Sequence, residues 1–385
     1  KGGGTVFDNP REVNVKDAFG IDNETVTLKR MECGPASSAA VLSDGTCLTW
    51  GSNDSGQLGH GHADDVLRPA KLRYPPDSPL NVTGVSQIKL GSTFSAIIDA
   101  NGDLYTFGYG GSAVNGVGRL GHGDAASHRV PKLVESLVED GCYASQVAVG
   151  ELHMTVLTTE GETLTSGAGS YGRLGNLDTD DQVHLEPVEM LAGEEVISVC
   201  GGHAFTLALT ADGVVHSWGR NDKGQLGLGA GLSVDIYAME ALPRPVEGQL
   251  EGRRVRRVAA GHSHAAAVTA DGELFVWGSN VFLEPQPFPG LLHSKIIDVA
   301  CGENFTAALA EDGRLYTFGK GRTGSLGHAS KKNVNQPQLV EGLVDRGRVV
   351  SVSAGYSHIA CVVEGPGKDD EEEEEEKGAT AKEKK

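Results

Sequence analysis

The sequence predicts an all-β fold, a seven-bladed β-propeller of four-stranded antiparallel blades whose ring is closed by the N-terminal segment. Three observations support this prediction. Glycine accounts for 54 of the 385 residues, about twice its usual share. A unit of 41 to 59 residues recurs along the chain. Within each unit, an Asp-Gly or similar pair separates two short apolar runs, which is typical of a β-hairpin.

Each repeat opens with a glycine, and two residue pairs follow that glycine at fixed distances. Sixteen residues after the opening glycine stands an aromatic-Gly pair, or Ser166-Gly167 in one repeat. Ten residues after it stands an acid-Gly or Asn-Gly pair. Six repeats keep both distances, so the chain is a repeat array. The six opening residues are Gly34, Gly91, Gly150, Gly202, Gly261 and Gly302.

The fourth repeat illustrates the strands of a unit. Apolar runs at 205–210 and 214–218 flank Asp212-Gly213, a pair that favours a tight turn. A Gly-rich loop, a Pro element and another apolar run then lead to the next unit. About four strands per repeat and no convincing helix are typical of propeller blades.

The ends of the chain give the blade count and the domain boundaries. Gly355 opens a seventh repeat that lacks its aromatic-Gly arm, while a Pro element occurs near the N-terminus at Asn9-Pro10. We therefore expect the N-terminal segment to complete a seventh blade, and one strand with its loop to precede Lys1 in the full gene product. Residues 1–365 are predicted to form the propeller. Residues 366–385 contain eight consecutive acids and are predicted to be a disordered tail.

Charge and hydropathy exclude several partners. The net charge is −19, and nine acids against five lysines give the tail only −4 of it, so the predicted propeller is itself acidic. Binding to nucleic acid needs clustered Lys and Arg, and we expect none. No run of 18 apolar residues occurs, so we expect no membrane span.

Motifs that suggest chemistry have simpler explanations. Residues 167–172 and 319–324 fit the dinucleotide pattern G-x-G-x-x-G, but no helix is predicted after them to hold a pyrophosphate. His60-Gly61-His62 lacks further ligands at metal-binding spacing, and the six cysteines form no CxxC pair. The sequence therefore predicts no catalytic residues, no cofactor and no metal.

Three histidines occupy one repeat position. His153, His264 and His358 each lie three residues after an opening glycine, where other repeats have Phe94, Phe205 and Phe305. A position that Phe fills equally well is a packing position. We therefore predict that these histidines are structural.

The repeats resemble those of the regulator of chromosome condensation (RCC1) family. The resemblance runs from about Asn9 to Val363 and is most complete at residues 34–59 and 202–227. It implies the seven-bladed propeller. It leaves the function open, because the family includes a nucleotide exchange factor for the GTPase Ran, ubiquitin-ligase appendages, an ultraviolet-B photoreceptor and scaffolds.

The resemblance also implies a partner-binding surface. In the exchange factors, the two residues after each opening glycine face the GTPase, and acids there matter. The corresponding candidates are Glu151, Leu152, His203, His262, Glu303 and Asn304.

Two loops add to that surface. The second repeat's loop at 109–119 is five residues longer than the first repeat's, and the exchange factors insert a wedge in such a loop. The wedge candidate comprises Gly110, Gly111, Ser112, Ala113, Val114, Asn115 and Gly116. A tolerated loop insertion is the alternative. The fourth repeat's long loop contributes candidate anchors at Ile236, Tyr237 and Met239.

The sequence therefore predicts a protein-binding propeller, monomeric and intracellular, in the nucleus or cytoplasm. Its most concrete activity would be nucleotide exchange on a Ran-type GTPase, and basic segments such as those of histones are candidate partners of the tail. The alternative is a scaffold or assembly module without exchange activity, organellar if a transit peptide preceded Lys1.

Overall fold

The computed structural model describes residues 8–13, 15–20, 25–229, 238–291 and 293–365. These residues form six four-stranded antiparallel sheets and one two-stranded sheet. In each four-stranded sheet the strands lie in chain order, so every connection within a blade joins neighbours. The fold is therefore a propeller of four-stranded blades, as the repeats predict.

The first three blades occupy the N-terminal half. The first has β1 (Leu28–Cys33), β2 (Ser37–Leu42), β3 (Cys47–Gly51) and β4 (Val66–Lys71). The second has β5 (Val85–Leu90), β6 (Phe94–Asp99), β7 (Leu104–Gly108) and β8 (His128–Leu133). The third has β9 (Ala144–Val149), β10 (His153–Thr158), β11 (Thr163–Gly167) and β12 (Gln182–Pro187).

Three further blades and the two-stranded sheet follow. The fourth blade has β13 (Val196–Gly201), β14 (Phe205–Thr210), β15 (Val215–Arg220) and β16 (Met239–Pro245). The fifth has β17 (Val255–Ala260), β18 (His264–Thr269), β19 (Leu274–Gly278) and β20 (Phe282–Pro287). The sixth has β21 (Ile296–Cys301), β22 (Phe305–Ala310), β23 (Leu315–Gly319) and β24 (Val334–Leu339). The two-stranded sheet has β25 (Arg348–Ala354) and β26 (Ile359–Glu364).

The helices are short connections between these strands. The α-helices are α1 (Val15–Phe19), α2 (Leu80–Thr83) and α3 (Glu135–Glu139). Short 3-10 helices lie at Ser170–Gly172, Glu189–Leu191, Gly248–Leu250, Pro289–Leu291 and Glu341–Arg346. None of the helices in the described ranges is long and apolar enough to cross a membrane.

Burial follows strand order within a blade. The first strand of every sheet lines a central channel of about 460 Å³. The second strand of each four-stranded blade is buried at all six positions, because it packs against neighbouring blades on both faces. The fourth strand lies at the rim and carries most of the exposed polar positions. The hydrophobic core therefore lies between blades, around the second and third strands.

The fixed distance from the opening glycine to the aromatic-Gly pair has a steric basis. In the fourth blade, Gly219 pairs with Phe205 across the two central strands. A Cβ at Gly219 would lie 2.6 Å from the carbonyl oxygen of Ala204, and its φ is +110°. Only glycine fits such a left-handed position against a neighbouring backbone. The glycine after each aromatic is therefore a structural requirement of the blade.

The prediction of seven blades is wrong, because the residues that the structure describes form six four-stranded blades. The seventh repeat start, Gly355, lies between the two strands of the β25–β26 sheet, which has no third or fourth strand in the described ranges. After Glu364 the sequence turns to Gly, Pro and a run of acids, a composition that lacks the alternating apolar residues typical of a strand. The glycine pattern of a repeat start is thus present without the hairpin arm that would make it a blade.

The described part of the N-terminal segment, residues 8–13, forms no strand and packs on the sixth blade. The Ala329 amide donates to the carbonyl oxygen of Asp8 at 2.7 Å, and Pro10 lies against Gly327 and Gly342. The two ends of the ring meet elsewhere, between β1 and β25. There the Cys33 amide donates to Ser353 Oγ at 2.9 Å.

Candidate protein-binding face

Most of the predicted site residues lie on one face of the propeller. The strands alternate in direction, so the loops after the first strands and the loops after the third strands emerge on the same side, here called the upper face. The tight hairpins and the helix α2 lie on the opposite, lower face. The wedge candidate, residues 110–116, and the positions after the opening glycines all belong to the upper face.

A cluster around Glu151, the central cluster, lies beside the central channel. One carboxylate oxygen of Glu151 accepts hydrogen bonds from Ser92 Oγ at 2.8 Å and from Tyr356 Oη at 2.9 Å. His203 Nδ1 lies 3.7 Å from the same oxygen, beyond hydrogen-bond distance but close enough for attraction when protonated. The central cluster thus joins the second, third and fourth blades to the two-stranded sheet.

Glu151 is held as an anion. Burial by itself would raise the pKa of its carboxyl, but His203, Ser92 and Tyr356 outweigh that effect and lower the pKa to about 2. Burial and the neighbouring carboxylate raise the pKa of the Tyr356 hydroxyl, which therefore stays protonated as a donor. The centre of the upper face carries a fixed negative charge.

Two of the predicted histidines form a stack beside this carboxylate. The rings of His203 and His262 are 4.1 Å apart and nearly parallel, and Tyr356 meets His262 edge-on at 5.8 Å. Burial, and then the neighbouring His203 and Lys223, lower the pKa of His262, so its ring is neutral near pH 7. Among the described residues, no three His, Cys, Asp or Glu side chains converge as metal ligands. The stack is an aromatic surface.

The structure places the remaining predicted positions around the central cluster without bringing them into it. Glu303 is exposed, and its amide donates to the carbonyl oxygen of Tyr356 at 3.3 Å. Asn304 accepts from Lys320 Nζ at 3.4 Å, and Leu152 faces the wedge loop. Met239 opens β16 on the same side and is 41% exposed. Ile236 and Tyr237 lie outside the described residues.

Sequence reasoning missed two members of the central cluster, Ser92 and Tyr356. Each directly follows an opening glycine, which is the same repeat position as Glu151, His203 and His262. The signal was therefore present. It was missed because the candidates came from the third to sixth repeats only, whereas Ser92 and Tyr356 belong to the second and seventh.

The wedge candidate is an ordered loop with an exposed apolar tip. Ser112 and Gly116 form an antiparallel bridge, and the Val117 amide donates to a carboxylate oxygen of Asp181 in the third blade at 3.0 Å. Gly116 lies directly against Ala168 of that blade. Val114 is nevertheless 92% exposed. The third blade holds the base of the loop, and the tip points to solvent.

The three histidines of the repeat position are packing residues, as predicted. His153 and His264 are buried and contact a threonine hydroxyl of the next blade, Thr206 at 2.9 Å and Thr306 at 3.1 Å. His358 is paired in the same way with Ser38 at 3.0 Å. Burial lowers the pKa of His153 to about 3 and that of His264 to about 4, so both stay neutral.

With this geometry in hand, comparison with known proteins identifies the family. The RCC1-like domain model matches residues 4–361. The chain belongs to this family. The resemblance inferred from the repeats is thereby confirmed, whereas the family alone does not say which partner binds.

Three curated relatives indicate the range of proteins that carry such domains. The mouse E3 ubiquitin-protein ligase HERC2 is 35% identical over 274 residues, which is 68% of this chain and 5% of HERC2. The bovine secretion-regulating guanine nucleotide exchange factor is 34% identical over 65% of this chain and 52% of its own length. The mitochondrial RCC1 domain-containing protein RUG3 of Arabidopsis thaliana is 29% identical over 83% of this chain and 75% of its own length. The chain thus spans only a small part of HERC2 and about half of the exchange factor.

Two solved structures share the architecture. Prp20p of Saccharomyces cerevisiae aligns with a TM-score of 0.78 at 21% identity, covering 92% of this chain and 86% of Prp20p. Human WBSCR16 aligns with a TM-score of 0.75 at 25% identity, covering 88% and 87%. At these identities the likeness to Prp20p supports the fold alone.

Proposed function

We propose that the upper face of this RCC1-like propeller binds a protein partner, and that its specific activity is to accelerate nucleotide release from a Ran-type small GTPase. One relative supports the choice of activity, because it is named a guanine nucleotide exchange factor. Prp20p, which shares the fold, was characterised for its binding to Gsp1p and histones, the kinds of partner proposed here.

The observation that carries the proposal is the position of the wedge loop beside the central cluster. Leu152, next to Glu151 in the chain, lines the same cavity as Val114 of the loop tip. A partner that covers the anionic centre can therefore also contact the exposed apolar tip. An exchange factor needs this pairing of a fixed docking surface with a projecting loop.

The chemistry asked of the propeller is binding, with no covalent bond made or broken. Exchange is accelerated when the nucleotide-free GTPase is bound more tightly than the loaded one, because the difference in affinity shifts the equilibrium toward release. Val114 would enter the GTPase, while Glu151 and the exposed Glu303 would present carboxylates to its cations. The blade core beneath keeps these groups in place.

The alternative is an assembly module without exchange activity, and one comparison favours it. The match to mitochondrial RUG3 covers more of both chains than the match to the exchange factor. In that case the same face would hold a partner together with other components, in an organelle. The two functions differ only in what binding does to the partner.

Release of a fluorescent guanine nucleotide from a Ran-type GTPase tests the proposal. We expect micromolar propeller to accelerate release in the presence of excess GTP, and deletion of residues 110–116 to abolish the acceleration. An unchanged release rate with the intact propeller rejects exchange. If such a propeller still retains the GTPase on a surface, the assembly module is favoured.

The domain organisation and the remaining partners belong to the same proposal. We take residues 1–365 as the propeller and 366–385 as a tail that binds basic segments such as those of histones, in a monomeric nuclear or cytoplasmic protein. The tail lies outside the described residues. Light scattering tests the monomer. A histone pull-down with and without residues 366–385 tests the tail, since undiminished capture without it would reject that role.

A further inference from the structure

A second concave site lies on the upper face, between the wedge loop of the second blade and the loop after β11 in the third blade. It is a cavity of about 820 Å³. Aromatic, cationic and apolar side chains line it together. The residues that matter for its chemistry are Tyr109, Val114, Arg119, Tyr171, Arg173 and Asp181.

Two arginines in this cavity are almost completely buried without a counter-charge. Arg119 is 2% exposed and Arg173 is 3% exposed. Within the described parts of the chain, no Asp or Glu oxygen lies within 4.0 Å of either guanidinium. A buried charge without a partner is strongly unfavourable, so folded proteins rarely keep one unless a ligand neutralises it.

The acid that lines the cavity does not neutralise them. Asp181 lines the cavity, but each of its carboxylate oxygens is engaged by a backbone amide, one by Gly169 and one by Val117, both at 3.0 Å. These bonds hold the carboxylate at the edge of the cavity. Asp181 therefore ties the two loops together and leaves both guanidiniums unpaired.

Both guanidiniums have donor capacity left. Arg119 donates from Nη1 to Thr93 Oγ1 at 3.2 Å and from Nη2 to the Asn115 carbonyl at 2.6 Å, while its buried Nε has no acceptor. Arg173 donates from Nε to the Ser170 carbonyl at 2.7 Å, and no described residue accepts from its Nη atoms. Since a guanidinium has five N–H donors, several remain for a ligand.

The two arginines stay charged and in fixed orientations. Burial lowers the pKa of Arg173 to about 10 and also lowers that of Arg119, and both remain cations at neutral pH. Arg119 lies 5.0 Å above the Tyr109 ring, and Arg173 lies 5.7 Å from the Tyr171 ring. Tyr171 has φ +64°, a left-handed conformation that non-glycine residues rarely adopt. Tyr171 therefore keeps a strained backbone conformation at the wall of the cavity.

We propose that the cavity receives the carboxylate of an Asp or Glu side chain on the partner protein, bound by Arg119 and Arg173, with an apolar neighbour of that acid against Val114. Guanidiniums match carboxylates in geometry and charge. Asp181 at the cavity edge disfavours a multiply charged phosphate, whereas a single carboxylate adds only one negative charge. The inference rests on the proposed function only in taking the upper face as the partner-binding side.

The test uses short peptides and no GTPase, so its result is independent of the exchange assay. The probes are acetyl-Val-Glu-Leu-amide and acetyl-Val-Gln-Leu-amide, titrated to millimolar concentration into the whole chain. The readout is the ¹⁵N–¹H NMR signal of the arginine Nε groups, assigned with R119K and R173K. We expect a saturable shift with the glutamate peptide and about tenfold weaker binding of the glutamine peptide.

A variant of Arg173 tests whether the peptide binds in the cavity. R173Q should abolish binding of the glutamate peptide. R220Q is the matched control, because Arg220 lies over the same Tyr171 ring but is already paired with Asp222 at 2.8 Å, and it should bind within about twofold of the unmodified protein. If R173Q fails to fold, the comparison of the two peptides on the unmodified chain still tests whether the cavity binds a carboxylate.

Two results would overturn the proposal. One is the absence of any saturable shift with the glutamate peptide, or equal shifts with both peptides. The other is displacement of the glutamate peptide by inorganic pyrophosphate at lower concentration than the peptide itself needs, which would assign the cavity to phosphate.

Discussion

The hydroxyl of Tyr356 donates a 2.9 Å hydrogen bond to the carboxylate of Glu151, although 205 positions separate the two residues in the chain. The bond spans from the two-stranded sheet to the third blade, near the opening of the central channel. It fixes the charge at the centre of the upper face. It also links the end of the ring that lacks a full blade to the rest of the propeller.

Replacing Tyr356 by Phe should therefore destabilise the whole ring. Y356F removes a donor to a partly buried carboxylate, and we expect the free energy of unfolding to fall by about 2 kcal/mol. Urea denaturation measures this change. Tyr143→Phe is the control, because Tyr143 is 47% exposed, and it should be close to neutral. Equal effects of the two substitutions would mean that the bond to Glu151 contributes nothing.

The Glu151 carboxylate should also make stability depend on acid. Its pKa in the folded protein, about 2, lies below the ordinary value of 4.5, so its contribution is complete above about pH 4.5 and is lost as the pH falls toward 2. We expect the difference in free energy of unfolding between the unmodified chain and E151Q to shrink over that interval. Buried histidines away from Glu151, such as His264, titrate in both proteins and cancel in the difference, whereas the pKa of His262 is itself raised by Glu151, so the comparison is made below pH 4.5.

Denaturation of both proteins at a series of pH values measures this. A difference that stays constant from pH 4.5 to pH 3 would show that Glu151 titrates normally in the folded protein. A difference in the free energy of unfolding that grows as the pH falls below 4.5 would mean that folding raises the pKa of Glu151 instead of lowering it.

The glycine that ends the wedge loop should be irreplaceable for a steric reason. Gly118 has φ +79°, and a Cβ there would lie 2.0 Å from the carbonyl oxygen of Gln182 in the third blade. Gly141 has a similar φ of +70° with nothing within 4 Å of its Cβ. G141A should cost about 1 kcal/mol from backbone strain alone.

G118A should cost clearly more than G141A, because the loop must also move away from the third blade. Urea denaturation compares the two variants. Equal destabilisation would mean that the loop moves away from the third blade at no cost in stability. The base of the wedge loop would then not be firmly held, contrary to what the exchange proposal requires.

How far the sequence could predict this molecule differs between its parts. The hairpins and the four strands of each blade followed from local spacing, because the positive φ of Gly213 and the close approach of Gly219 to Ala204 are both set within one blade. The blade count did not follow. Gly355 satisfies the local pattern of a repeat start, whereas a complete blade needs two further strands that the pattern alone cannot supply.

The candidate site was also only partly predictable, because its residues come from different blades. The repeat position after the opening glycine predicted the ring that carries Glu151 and His203, but not that Tyr356 would reach the same carboxylate. The cavity between Arg119 and Arg173 was not foreseen, because each arginine is an ordinary member of its own loop. Only the packing of neighbouring blades brings the two cations together.

The central claim is that the tip of the wedge loop acts on a GTPase bound to the upper face, and one pair of variants tests it most directly. Val114 is 92% exposed on the wedge loop, and Val82 is 90% exposed on α2 at the lower face. The same Val→Glu change at both places alters net charge equally and replaces a side chain that is almost fully exposed. The measurement is the rate of nucleotide release from a Ran-type GTPase with V114E and with V82E.

We expect V82E to match the unmodified chain and V114E to be slower by about tenfold or more, as for a residue at the centre of an interface. Equal rates for V114E and V82E, both above the rate of the GTPase alone, would contradict the assignment of the loop.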